Sequence, residues 1–404
     1  MASVVQLHAR QHLNSLTWSR VASRRCVLAV ALLAGLASLA RAQQGDPTIA
    51  GWVVADAKLP SGASPTADGI GLIGGIAHRP DANFRDGVIE FDLAPAGTAF
   101  AGVAFRMQST ADYEIIYFRP DSGRWAAIQY QPVYQGETTW QLYHGDGYEG
   151  VVPAPLAGPL HVRILVAGSR AEVYIGGDST PALRVRELKR PPVAGGVGFW
   201  VAGNAQSETQ NAALRALTVT QSSTLRLAAS PPETHPPEQL LRWRVSPRMS
   251  SPDSIDTPLT LPPSVADARR WNVVAAEPSG LVNLTRAIGN AAGPQRVNVM
   301  GGAGWGMAFA RVTIISPRAQ TRRLFLSYSD GIGVYLNGTR IFIGRNDIDS
   351  RSPGYLGIVG PEVESVDLAL RAGENELLLA VTDKAFGWGY KAKVDKMAGI
   401  KVVP

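Results

Sequence analysis

A chain of 404 residues is too long for one ordinary domain, and its 45% apolar content is ample for packed cores. The formal charge of +6 belongs to the leader: residues 1–42 hold Arg10, Arg20, Arg24, Arg25 and Arg41 and no acid, so 34 basic residues face 33 acidic ones beyond it. That near-neutral remainder excludes an electrostatic case for nucleic acid or an anionic membrane, and with Cys26 as the only cysteine it also excludes disulfides and cysteine-ligated metal.

The leader runs from arginines into VLAVALLAGLASLA and then Ala40-Arg41-Ala42. This is the pattern of a secretory signal peptide, with cleavage expected after Ala42. Its apolar run of about 14 residues falls short of the roughly 20 that span a bilayer, so no membrane association is expected after cleavage. Ser23-Arg24-Arg25-Cys26-Val27-Leu28 resembles the bacterial twin-arginine motif, with the general secretory route as the rival. The expected location is periplasmic or secreted.

Residues 43–220 read as the first domain. GVIEFDL (87–93), FAGVAFRM (100–107), YEIIYFR (113–119), LHVRILVA (160–167), AEVYIGG (171–177), GGVGFWVA (195–202) and ALRALTV (213–219) are short runs between glycine, proline and acidic turns. Their length and spacing predict an all-β sandwich. Within it, Tyr113–Tyr148 holds nine of the 30 aromatic residues, interleaved with arginine and amide side chains. Rings offer flat apolar faces and the polar groups offer directional hydrogen bonds, the mixture a sugar requires. Arg106, Glu114, Tyr117, Arg119, Gln129, Tyr130, Trp140 and His144 are the candidate ligand-binding residues. Trp125 and Trp140 are read either as stacking platforms or as core and rim residues.

Strand parity divides this run. Tyr113, Ile115, Tyr117 and Arg119 share one face, and Glu114, Ile116 and Phe118 the other. If Ile116 and Phe118 turn inward, Glu114 goes with them and needs a buried partner, for which Arg106 is the nearest by type. If that face lines a groove instead, Glu114 becomes a ligand or catalytic group. Glu90 and Asp92 also share a face, read as a solvated strand surface or as metal or acid–base groups.

Residues 221–268 form a proline-rich linker and lead-in, with Pro231-Pro232 and Pro236-Pro237 expected to act as a semi-rigid spacer. The second domain, 269–404, is again β-rich: WNVVAAE (271–277), GMAFARVTII (306–315), RRLFLSYS (322–329), GVYLNGTRIFIG (333–344), VESVDLAL (363–370) and NELLLAVT (375–382). Asn337-Gly338 predicts a tight hairpin turn, because both positions need positive φ. Asp330 and Asn337 are expected to bond local backbone, and Trp305 and Trp388 either face a ligand or cover a sandwich end.

Beyond the leader there is no Gly-x-Ser-x-Gly, Walker loop or His-Glu-x-x-His, and His78, His144, His161 and His235 show no metal-ligand spacing. No metal ligand set and no cofactor are evident; structural calcium between loops stays open.

On GVIEFDL, GVAFR, YEIIYFRP, QYQPV with WQLYHG, and LHVRILVAGSRAEVYIGG with LKRPPVAGGVGFW, the first domain resembles the concanavalin A-like (laminin G-like) sandwich superfamily. Its nearest likeness is the bacterial secreted domain associated with 3-keto-disaccharide hydrolysis. Ile116 stands where that family usually carries glutamine, and the resemblance transfers Arg106 and Glu114 as site positions. SDGIGVYLNGTRI and LRAGENELLLAVT resemble the galactose-binding-like jelly roll. Together these imply two β-sandwich (jelly-roll) domains after a signal peptide, binding carbohydrate or another polyhydroxylated ligand. A 3-keto-glycoside hydrolase or lyase using Glu114 or His144 as base is the alternative, because a keto group acidifies the neighbouring C–H. The third reading is a structural module with a protein partner.

Overall fold

The computed structural model describes residues 47–97, 100–119, 127–152, 159–202, 210–250, 270–289, 306–360, 363–384 and 386–404. The expected signal peptide with Cys26, the tryptophans Trp125 and Trp305, and the lead-in residues 251–268 lie outside the described residues. The chain is all-β; among the described residues the α-helical element is the short Leu284–Ile288, whose N-cap Asn283 accepts from the Arg286 N–H.

Two antiparallel sheets build the first sandwich. The nine-stranded sheet runs, in spatial order, through Thr48–Ile49, Trp52–Ala55, Gly75–Phe84, Gly195–Val201, Ala101–Ser109, Asp112–Phe118, Ile128–Tyr134 and Glu149–Gly150, with Glu137–Thr138 folded onto Ile128–Tyr134. Facing it are six strands in the order Leu183–Val185, Arg170–Ile175, Leu160–Ala167, Gly87–Gly97, Gln210–Gln221 and Ile70–Ile73. In Leu160–Ala167 the side chains of Leu160, Val162, Ile164 and Val166 are buried while those between them are more exposed, the alternation of a sheet with one wet face. Asp112–Phe118 behaves differently, because residues 113–118 are buried on both faces. Ile116 and Phe118 join the core between the sheets, whereas Tyr113, Ile115 and Tyr117 join a separate cluster with Ile76, Met107, Val133 and Trp200 on the outer face.

The second sandwich pairs an eight-stranded sheet, which includes Arg242–Val245, Gly306–Ser316, Gly373–Asp383 and Gly331–Leu336, with four strands ordered Val282–Asn283, Gly389–Val394, Gln320–Ser329 and Glu364–Leu370. Trp243, Leu326, Leu379, Trp388 and Tyr390 lie in its core. Trp388 is therefore a core residue, not a loop platform. Asn337 and Gly338 turn the hairpin at φ 51° and 81°, and the Asn337 side chain accepts from the Glu376 N–H at 3.0 Å. Asp330 likewise accepts from the Lys384 N–H at 2.6 Å.

Strand structure of the second sandwich starts at Arg242, within the stretch expected as linker and lead-in, because Trp243 and Val245 alternate into the core between prolines. The proline-rich stretch expected as a semi-rigid spacer is tied to the first sandwich: Glu233 is held by Lys189 at 2.8 Å, and the Ala228 carbonyl accepts from Arg170 at 2.5 Å. Thr48–Pro404 forms one compact unit. Gln141 of the first sandwich contributes to this by donating to the Gly357 carbonyl at 3.1 Å and accepting, through its own carbonyl, from the Val359 N–H at 2.8 Å.

Candidate functional site

On the inward face of the aromatic run, Glu114 and Tyr130 are bonded within the fold. Glu114 is 0% exposed and accepts from the Tyr130 hydroxyl at 2.6 Å and the Arg190 N–H at 3.0 Å. Tyr130 in turn accepts from the Lys189 N–H at 2.6 Å. Burial drives the Glu114 carboxyl up to about 7, against the pull of those two donors. The partner expected for Glu114 is thus Tyr130, not Arg106. Arg106 sits at φ 50° on an irregularity of its strand and donates to the Arg85 carbonyl (2.8 Å), the Gly168 carbonyl (2.6 Å) and Asp86 (3.0 Å). It clamps loops. Glu114, Tyr130 and Arg106 are buried and bonded within the fold, which gives Glu114 the buried partner that one of its two readings required.

Behind Tyr130 the network continues between the sandwiches. The Lys189 ammonium reaches Glu187 at 2.7 Å, Glu233 at 2.8 Å and Glu277 at 3.4 Å. The rings of Tyr143 and Tyr148 flank it at 5.5 and 5.4 Å. Tyr143 donates to Glu277 at 2.7 Å and accepts from Asn283 at 2.8 Å. Burial alone would lower the Lys189 pKa; the surrounding carboxylates, Glu277 foremost, raise it instead. Two of the six tyrosines in the run, Tyr143 and Tyr148, therefore tie the first sandwich to the chain that follows it.

The outward half is built on a cross-strand row. The register aligns Ile76, Trp200, Gly102, Tyr117, Gln129 and Glu149 on neighbouring strands. A Cβ on Gly102 would collide with the backbone of Ile116 and Tyr117, so glycine there lets the strands close and brings the Tyr117 ring to 5.5 Å from Trp200. The Gln129 carbonyl oxygen collects three donors: the Tyr117 hydroxyl at 2.8 Å, the Arg119 guanidinium at 2.5 Å and the Trp140 indole at 3.1 Å. The guanidinium also lies over the rings of Phe100, Tyr117 and Trp140 at 5.3–5.8 Å. At the sheet edge His144 meets Trp140 edge-on at 5.1 Å, and its Nδ1 lies 2.7 Å from Glu149.

Tyr117, Arg119, Gln129, Trp140 and His144 are thus brought together, and three residues that sequence reasoning missed join their face. Gln131 stands two positions beyond Gln129 and so shares its parity, Trp200 lies across Gly102, and Phe100 stacks on Tyr117 at 6.2 Å. Parity alone could have found Gln131. Trp200 needed the pairing of Gly195–Val201 with Ala101–Ser109, which links segments nearly a hundred residues apart. The face carries three buried polar atoms without a hydrogen-bond partner: Arg119 Nε, Gln131 Oε1 and Trp200 Nε1. It is closed here, with Tyr117 at 2%, Trp200 at 5% and Arg119 at 6% exposure.

His144 also lines a cleft of about 730 Å³ between the sandwiches, together with Arg186, Glu233, Phe325, Lys391 and Lys393. On the far side of the first sandwich, Glu90 and Asp92 bracket His161 at 2.9 and 2.8 Å, an exposed trio whose carboxylates, through the hydrogen bond that Asp92 accepts above all, raise the imidazole pKa. Among the described residues, no group of three or more His, Cys, Asp or Glu side chains has the geometry to hold a metal.

No family model and no curated protein matches the sequence. Parts of the chain are similar to solved β-sandwich structures. A carbohydrate-binding module, CBM66 of Bacillus subtilis, aligns over 42% of this chain and 98% of its own at 14% identity and a TM-score of 0.27. A Bacillus subtilis protein with a galectin-like fold aligns over 40% and 84% at 12% identity and 0.27. The exoplasmic domain of VIP36 in its calcium- and mannobiose-bound form aligns over 43% and 84% at 14% identity and 0.27.

Proposed function

We propose that this chain is an exported protein that binds carbohydrate or a related polyhydroxylated ligand on the outer face of its nine-stranded sheet. The observation that carries the reading is the set of unpartnered buried atoms, Arg119 Nε, Gln131 Oε1 and Trp200 Nε1, around the Tyr117 ring. Each such group costs about 1–3 kcal/mol when left unsatisfied, so a face that keeps two donors and an acceptor idle is stabilised by a ligand that answers them. A sugar does this with hydroxyls that donate to Gln131 and accept from Trp200 and Arg119, while its CH faces pack on the rings. Because the face is closed, association is limited by opening and should fall below the usual 10⁵–10⁷ M⁻¹s⁻¹. Calorimetry and glycan-array screening of the chain test this. Binding that weakens in Trp200→Phe supports it, and absence of binding to every saccharide class overturns it.

A second reading rests on one observation, the His144–Glu149 pair at the mouth of an open cleft. A carboxylate on Nδ1 orients an imidazole so that Nε2 can take a proton, which is what hydrolysis or elimination of a 3-keto-glycoside needs. Turnover of a 3-keto-glucoside that disappears in His144→Gln would favour it over simple binding. Export is carried by the leader alone; a reporter fused to residues 1–45, with and without Arg24-Arg25→Lys-Lys, tests both export and its route.

A further inference from the structure

We infer that the ligand of the outer face is a sugar acid, its carboxylate set against Arg119. The inference rests on the outer-face proposal and adds the charge that its ligand must carry. Arg119 is 6% exposed, and among the described residues its guanidinium is answered by neutral groups. It donates to the Tyr117 hydroxyl at 3.2 Å and to the Gln129 amide oxygen at 2.5 Å. Its central carbon stands 5.3 Å from the centre of the Phe100 ring and 5.8 Å from that of Trp140. Its Nε has no partner.

Arg106, Arg190 and Arg248, each largely withdrawn from solvent, meet carboxylates instead: Asp86 at 3.0 Å, Asp112 at 3.2 Å and Asp383 at 3.1 Å. Arg322 lacks one among the described residues, but it clamps the Ala398 carbonyl at 2.7 Å, which gives that charge a structural task. A buried cation that faces neutral oxygens keeps much of the cost of leaving water, and an anion that enters recovers it. A hydrogen bond to an ionised acceptor is also roughly twice as strong as one between neutral groups. Glu149, the acid that ends the cross-strand row, is turned to other partners: one oxygen lies 2.7 Å from His144 Nδ1, and the other accepts from the Gly145 N–H at 2.7 Å.

The other idle atoms separate a sugar acid from a simple carboxylate. Gln131 Oε1 needs a donor, which a carboxylate lacks and a hydroxyl provides. Trp200 Nε1 needs an acceptor, which a hydroxyl or ring oxygen supplies. The rings of Phe100, Tyr117 and Trp200 offer the faces on which CH groups pack. A carboxylate, neighbouring hydroxyls and CH faces together describe a uronate ring.

The full chain is titrated with oligosaccharides of galacturonate, hyaluronan and alginate, each beside its methyl ester, and with neutral glycans. At least one acid should bind about tenfold or more tighter than its ester. In Arg119→Gln that preference should vanish, while Arg119→Lys, which keeps the charge, should retain part of it. Trp200→Phe should weaken acid and ester by the same factor, because it removes a donor that both use. Equal binding of acid and ester, or neutral glycans bound in preference to acids, would overturn the inference and leave the outer-face proposal standing. If no saccharide binds, the outer-face proposal itself fails and the sugar acid with it. A preference for the acid that survives Arg119→Gln would set the carboxylate elsewhere and overturn the inference too. The acid-to-ester ratio of the unaltered chain needs no variant, so the test holds even if Arg119→Gln does not fold.

Discussion

Strand Asp112–Phe118 carries two regions with opposite chemistry on its two faces. Inward, Tyr130 accepts from the Lys189 N–H and donates to Glu114, which also accepts from the Arg190 N–H, so both oxygens of the carboxylate are answered. Outward, Tyr117 and Arg119 crowd a single amide oxygen of Gln129, while Arg119 Nε, Gln131 Oε1 and Trp200 Nε1 have no partner. Both faces are buried and both mix rings with polar groups, so composition does not distinguish them. Satisfaction does. A polar network that closes on itself holds a fold together, and one left open has room for a molecule that is not part of the chain.

The inward region should break first and hardest. Lys189→Met leaves Glu187, Glu233 and Glu277 facing one another without their common cation, two of them largely buried. Removing one partner of such a set costs about 3–5 kcal/mol, expected as a lower urea midpoint at pH 7. A loss under about 1 kcal/mol would mean that the ammonium is not what joins the sandwiches.

Next comes the pH dependence of Glu114. Its folded pKa, raised by burial from an ordinary 4.5 to about 7, lies above the unfolded one. The native state therefore keeps a proton that the unfolded chain releases between those values. Stability from this group is complete below about pH 4.5 and is lost as pH rises through 7, by about 3 kcal/mol in all. Glu114→Gln, which cannot ionise, should remove that slope. Melting temperatures of the two proteins, compared from pH 4.5 to 8, should diverge in favour of the variant as pH rises. Parallel curves would show that Glu114 is ionised in the folded state at neutral pH.

The all-β class and most strands were legible because alternation and turn residues are local signals; Asn337-Gly338 announces its hairpin without reference to anything distant. Parity also divided Tyr113–Phe118 into its two faces correctly. What parity could not supply was the partner. Arg106 looked right for Glu114 by charge, yet its strand irregularity at φ 50° swings it to Asp86 and two loop carbonyls. Tyr143 and Tyr148 counted only as members of the aromatic run, and their hydroxyls are taken by Glu277 and Glu233, residues 134 and 85 positions away. Contacts of that separation are set by how two sandwiches dock, which no local pattern records.

The smallest effect on stability should come from the outer face, and there the comparison is sharpest. Gln131→Leu keeps roughly the volume of the side chain and removes an acceptor that has no donor in the closed protein. On an inward residue such as Tyr130, deleting the polar atom would strand Glu114 and destabilise. At Gln131 the same kind of deletion strands no charged group, so the urea midpoint should stay within about 0.5 kcal/mol or rise by up to about 1 kcal/mol. Ligand affinity should move the other way, falling at least tenfold, which is about 1.4 kcal/mol of binding energy. Stability and affinity measured on the same preparation decide the matter. If Gln131→Leu destabilises as strongly as an inward deletion, its oxygen is bonded within the fold and the outer face is only a second core.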